Sequence, residues 1–205
     1  MATVNSKLSG FLSQVKQGVR PNMFKVEFTF PDGVDAGDGT LASYMCKSAA
    51  LPASNIGVIE VPFRGRTVKI AGDRTFDNWS ATFITDRDMK IRAQFEKWME
   101  QMNSHDPNTA ALADPSDTTG YTRQVIVRQL DKDSSEGGAE LRSYKLWYAF
   151  PTSVSAVDLA YDSNDQIEEF TVEFQYAYWL VDGATTGPLD AGDSGRTGTS
   201  KKIVL

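Results

Sequence analysis

The chain has one histidine and one cysteine among its 205 residues. That scarcity excludes a good deal of chemistry. One His and one Cys cannot assemble a zinc site of the usual four-ligand kind. A lone cysteine forbids an intrachain disulfide, so the fold needs no oxidising compartment. Cys46 stands in a strand-like stretch, where it is expected to act as a small buried apolar residue rather than a reactive thiol. Basic residues are in the minority: 21 Lys and Arg face 27 Asp and Glu, a net charge of −6. Tight DNA binding requires a positive footprint that such a chain lacks overall. No apolar run approaches the ~20 residues needed to cross a bilayer. Residues 1–21 hold neither the apolar core nor the cleavage pattern of a secretory signal. No membrane anchor is expected, and folding in a cytoplasm is.

Site motifs are missing too. Neither Gly-x-x-x-x-Gly-Lys-Ser/Thr nor Gly-x-Gly-x-x-Gly occurs. His105 lies in Ser104-His105-Asp106, but three consecutive residues are not a catalytic triad, whose members meet through the fold. Asp162-x-Asn164 opens like a calcium loop, yet Ile167 stands where such a loop needs glycine, so an Asx turn is the expectation. Asp86 and Asp88 are explained by a helix start. No catalytic residue, cofactor or metal is expected, and the chain reads as a non-enzyme.

What is present is alternation. Phe24, Val26, Phe28 and Phe30 share one face of a strand over 22–30, with Lys25, Glu27 and Thr29 on the other. Pro31-Asp32-Gly33 stops it. A strand is expected to resume over Leu41–Cys46, followed by an irregular loop over 49–55. Ile59, Val61 and Phe63, then Arg64-Gly65-Arg66, then Val68 and Ile70 predict a β-hairpin or a sharply bent strand. Pro62 donates no ladder hydrogen bond and argues for an edge or a bulge. Gly72-Asp73 reads as the next turn, and 76–85 as a strand with Trp79, Ala81 and Phe83 on one face. Asp86 is expected to cap a helix from Arg87 to about Asn103, with Ile91, Phe95, Trp98, Met99 and Met102 as its core stripe. A loop over 105–119 follows. Strands are expected over 121–130 and 141–150, the latter ended by Pro151, then a short one over 154–161. Residues 167–181 read as the longest strand, with Phe170, Val172, Phe174, Tyr176 and Tyr178 on one face and Glu169, Thr171, Glu173 and Gln175 on the other. Residues 6–17 carry a small amphipathic helix pattern (Leu8, Phe11, Leu12, Val15).

The organisation is therefore an N-terminal arm (1–21), one domain (22–182) and a polar Gly/Thr/Ser/Asp tail (183–205). The fold class is mainly β (α+β): an antiparallel β-sandwich or barrel with one flanking α-helix. Long strands such as 121–130, 141–150 and 167–181 would expose edges in a lone copy, and closing them in a ring would satisfy their N–H and C=O groups.

Several blocks carry a resemblance. They are Arg20-Pro-Asn-Met-Phe24, Met45-Cys-Lys-Ser-Ala-Ala-Leu-Pro52, Ile59-Glu-Val-Pro-Phe-Arg-Gly-Arg66 and Ile70-Ala-Gly-Asp-Arg-Thr-Phe-Asp-Asn-Trp79. Phe95-Glu-Lys-Trp98, Tyr161-Asp-Ser-Asn-Asp165 and Glu169-Phe-Thr-Val-Glu-Phe-Gln-Tyr176 with Trp179 follow in order. Together they resemble the major tail tube proteins of contractile-tailed, T-even-like bacteriophages. The resemblance implies a structural virion protein, assembled in the host cytoplasm, that forms hexameric rings with a continuous inner β-barrel. The rings stack into the tail tube, a conduit for genome ejection. It implies as partners other copies of itself, the tail sheath protein, baseplate proteins, the tape-measure protein and a tail terminator, with DNA passing transiently and without specific binding. Glu169, Thr171, Glu173 and Gln175 are then expected to face the lumen, where an acidic wall would repel phosphates. Leu51, Pro52, Pro62, Arg64 and Arg66 are expected at contacts between subunits or rings, the arginines paired with a neighbour's acidic groups. The charged face of the main helix is a candidate for the sheath. Two other readings stand beside this one: the inner tube of a phage-derived contractile injection system, and a carbohydrate-binding β-sandwich module.

Overall fold

A computed structural model describes residues 18–34, 39–116, 119–131 and 140–182, together with Phe11 and Val15. The connection between the strands expected over 121–130 and 141–150, residues 132–139, and the tail after 182 lie outside the described residues, as does most of the 6–17 helix. Phe11 and Val15 have helical backbone and are exposed.

In chain order the elements are β1 (Phe24–Phe28), α1 (Thr40–Met45), β2 (Cys46–Ala49), β3 (Asn55–Phe63), β4 (Arg66–Thr75) and β5 (Trp79–Ile84). Then come α2 (Lys90–Met102), β6 (Arg123–Leu130), β7 (Glu140–Val154), β8 (Glu169–Gln175) and β9 (Tyr178–Asp182). The pairings between them are antiparallel. The main sheet runs β1-β6-β7-β8-β5-β2, with β9 also on β7, and β3-β4 form a separate ribbon.

Strand β7 belongs to two layers. Its first part pairs with β6 and β9, and from Phe150 onward it pairs with β8. The bend between the two parts is marked by a register shift against Arg123–Val125 and by Tyr148 at φ 57. An extra residue of this kind increases twist and redirects a strand. Pro151 follows the bend and does not end the strand, contrary to the sequence expectation. It sits where the register with β8 is already irregular, so its missing N–H breaks no regular ladder.

The two layers face each other through aromatic rings. Val26, Phe28, Val125, Val127 and Leu146 point inward from one, and Trp79, Ala81, Phe83, Phe170, Val172 and Phe174 from the other; all are buried. The Phe28 ring lies 5.3 Å from Phe83 and 6.0 Å from Phe174. Helix α2 joins both layers, since Phe95 lies 5.1 Å from Phe83 and 6.1 Å from Phe28. Ile91, Phe95 and Trp98 are fully buried, Met102 packs at the margin, and Met99 is half-buried. The Trp98 indole N–H donates to the Tyr121 carbonyl at 2.7 Å. The architecture is the expected mainly-β fold with antiparallel sheets and a flanking helix.

Several expectations are corrected in detail. Residues 40–45 are helix rather than strand; Leu41, Ala42 and Met45 recur at helical spacing, and Ala42 is buried against β1 and β5. Helix α2 starts at Lys90, not Arg87: the Asp86 carboxylate accepts from the Lys90 and Ile91 N–H groups at 3.2 Å, from before a left-handed Met89. Residues 155–160 carry no strand; the chain makes one more bond, Ser155 N–H to Thr171 O at 2.8 Å, and departs. The stretch 167–181 is two strands, broken at Tyr176-Ala177, because β8 pairs with β5 and β7 whereas β9 pairs with the other part of β7. The longest strand is β7. Strands β6 and β7 each have neighbours on both sides, so 121–130 and 141–150 are not edges. Among the described residues the sides without a partner strand belong to β1, β2, β9 and the β3-β4 ribbon.

Candidate functional site

The β2-β5 ladder and the β3-β4 ladder are successive parts of one long hairpin. The first ends at Ala49 opposite Ala81, and the second begins at Asn55 opposite Thr75. Hydrogen bonds hold the waist between them. The Trp79 indole N–H donates to Ala50 O at 2.6 Å, and the Asn55 amide donates to the Asp77 carboxylate at 2.7 Å. Tyr176 and Trp179 both donate to Ala53 O, at 3.2 and 3.1 Å. Pro52 is buried in this waist, whereas Leu51 beside it is half exposed.

Beyond the waist the ribbon leaves the body. Gly72-Asp73 is not a turn, as the sequence suggested, but a bulge: the register skips between Ile56 and Val58, so one residue of β3 faces two of β4. Gly57 and Gly72 meet there, and a Cβ on Gly72 would lie 3.2 Å from the Gly57 carbonyl, tighter than most side-chain contacts. The tip is the two-residue turn Arg64-Gly65, with φ 46 and 79. Both values are left-handed, as a hairpin whose twist matches its strands requires. Pro62 lies opposite Thr67 in this two-stranded ribbon, an edge position as expected.

The pairing Ile59↔Ile70, Val61↔Val68 and Phe63↔Arg66 places Ile59, Val61, Phe63, Val68 and Ile70 on one face. All five are between 42% and 63% exposed. On the other face Val58, Pro62, Thr67 and Ala71 flank a Glu60–Lys69 ion pair of 3.6 Å. An isolated two-stranded hairpin is marginal in water, and a contiguous exposed apolar face marks an interaction surface. The sequence showed the alternation but not that its apolar side is bare. The signal lay in Gly57 and Gly72, one in each arm, which cross at the bulge where the ribbon departs.

The four residues expected to face a lumen stand together on the outward side of β8. Glu169 accepts from the Lys47 ammonium at 2.6 and 2.7 Å, and Thr171 shares a 3.1 Å hydrogen bond with Thr82. Glu173 is exposed opposite Ser80, and Gln175 bonds to Asn78. With Lys47 on Glu169 this face is mixed polar rather than uniformly acidic. Trp79 and Trp98 are buried, which removes them as platforms for a sugar ring. His105 lies just past α2, exposed beside Glu100.

Residues 19–182 match the family described as phage tail tube protein. The tail tube protein gp19 of Enterobacteria phage T4 is 33% identical over 160 residues, which cover 78% of this chain and 90% of that relative. This chain belongs to the phage tail tube protein family. Its role is structural, as a tail tube component of the virion. The fold is shared with chains of more distant contractile assemblies. A chain in the six-fold symmetrised baseplate of the anti-feeding prophage superposes with a TM-score of 0.59 at 15% identity, over 81% of this chain and 96% of that one. A chain in the extended sheath-tube complex of the extracellular contractile injection system PVC gives 0.53 at 15% identity, over 84% and 97%.

Proposed function

We propose that six copies of this chain close into a ring with a continuous inner β-barrel, and that rings stack into a hollow tube through which the phage genome leaves. The observation that carries this is the β3-β4 ribbon, whose apolar face is exposed and has no partner among the described residues. Neighbouring copies cover that face and complete the open sides of β1, β2 and β9. The role is mechanical and non-enzymatic. The six-fold symmetry of the anti-feeding prophage baseplate and the sheath-tube association of the injection system, assemblies that contain chains of the same fold, support six copies and an outer sheath.

The outward face of β8, with Glu169, Thr171, Glu173 and Gln175, is proposed to line the lumen. Polar groups already bonded to one another, with Glu173 free of a cation among the described residues, give DNA phosphates little to adhere to. Leu51 and Pro52 at the waist and Pro62, Arg64 and Arg66 at the tip are proposed inter-subunit contacts. Assembly in the host cytoplasm on baseplate proteins around a tape-measure protein, with a terminator at the far end, completes the scheme. Negative-stain electron microscopy of the concentrated protein tests it: rings or hollow rods are expected. A particle that stays monomeric under every condition, with and without a baseplate nucleus, overturns it.

A further inference from the structure

The two sides of the hairpin tip and one remote loop are complementary, and they lie at opposite ends of the same strands. Strands β5 and β8 pair from Trp79↔Phe174 to Ile84↔Glu169. The ribbon leaves from the Trp79 end. At the Ile84 end stands the loop 156–168, tied there by Thr85 N–H donating to Glu168 O at 2.9 Å. With a rise of ~3.3 Å per residue, the run from Arg66 through β4 and β5 to Ile84 puts the Arg64-Gly65 tip roughly 60 Å of strand length from that loop.

The tip is basic and apolar. Arg64 and Arg66 have no carboxylate partner among the described residues, and Phe63 beside them is 63% exposed. The loop is acidic and apolar. Residues 156–169 contain Asp158, Asp162, Asp165, Glu168 and Glu169 and no Lys or Arg. Asp158, Asp162 and Asp165 are exposed and have no cationic partner among the described residues. Leu159, Tyr161 and Ile167 are 86%, 108% and 70% exposed, and they help to line a concavity of about 1040 Å³ formed by the loop alone. Large apolar side chains this bare, ringed by unpaired charge of one sign, form half of a contact.

We infer that the Phe63–Arg66 tip of one copy seats in the 156–168 concavity of a second copy, its arginines against Asp158 and Asp162. Because donor and acceptor surfaces lie at opposite ends of one molecule, the contact is head-to-tail, and every copy both gives and receives. The inference rests on the tube reading above and names the partner surface of its hairpin.

Charge exchange tests it. The variant Arg64→Glu with Arg66→Glu is expected to yield at least about tenfold fewer rods than wild type at equal concentration, because like charges then face each other. The variant Asp158→Lys with Asp162→Lys is expected to do the same. All four substitutions in one chain are expected to restore rods. Unchanged thermal unfolding of each variant, all altered sites being exposed, shows that folding is intact. If either reversal assembles at the wild-type yield, or if both fail and their combination does not recover, the docking is overturned while the tube reading stands. If wild type itself forms neither rings nor rods, the tube reading falls, and this contact with it.

Discussion

Two ionisable groups show how local environment sets chemistry. Burial pushes the Cys46 thiol up to about 12, against a weaker opposing effect of a hydrogen bond with the Ser48 backbone. A thiol that stays protonated is a poor nucleophile. Native protein at pH 8 is therefore expected to resist a maleimide over hours and to react within minutes once denatured, followed by mass spectrometry. The same shift makes stability fall as pH rises from 9 toward about 12, because the unfolded chain gives up that proton first. Glu27 behaves in the opposite sense. Burial works to raise its carboxyl, but hydrogen bonds from Lys25 and Arg128 outweigh this and hold it below its ordinary 4.5. Arg128 reaches across to both Glu27 on β1, at 3.0 Å, and Glu140 on β7. The stability gained is present above pH 4.5 and is lost as pH falls through the lower folded value. Glu27→Gln should flatten the acid limb below pH 4.5, seen by comparing urea midpoints at pH 7 and pH 3.

Among the elements, α2 couples the layers most directly. Truncating Trp98, fully buried and hydrogen-bonded to Tyr121, should destabilise by about 3–5 kcal/mol, measured by urea unfolding. Much of α2 was legible from sequence, because a stripe at 3.6-residue spacing must face something apolar. Its start was not: Asp86 is a plausible cap, but its carboxylate reaches the first helical N–H groups from four residues back, across a left-handed Met89. Helix α1 is illegible in sequence, since six residues hold too few repeats to separate helical from strand periodicity. Strands β8 and β9 look like one in sequence because their alternation runs on while their pairing partners change. In sequence the bulge at Gly72-Asp73 looks like a turn, since a glycine beside an aspartate fits either and only the opposite Gly57 distinguishes them.

At the scale of the molecule, one hairpin is half core and half bare. Its base, β2 and β5, lies in the sheet, and its outer half contributes no buried large side chain. Stability of the single copy and capacity to assemble should therefore separate cleanly. Val61→Asp with Phe63→Asp is expected to leave the thermal midpoint of the monomer within a few degrees of wild type, since neither side chain is buried. The same pair should abolish rods in electron micrographs, because a charge placed in an apolar contact is left without water or partner.

The sequence by itself determined the fold class, the aromatic core positions on 24–30, 79–83 and 91–98, and, through motif blocks spread along the chain, the family. Periodicity and local chemistry suffice for these, since each depends on residues close together in the chain. Only the tertiary structure decided which strands are interior and which are edges, that β7 serves two layers, and that the Ile59–Ile70 ribbon stands bare at the opposite end of β5 from the acidic 156–168 loop. Those facts depend on which segments lie side by side, and alternation is the same whether a strand's neighbour is present or missing.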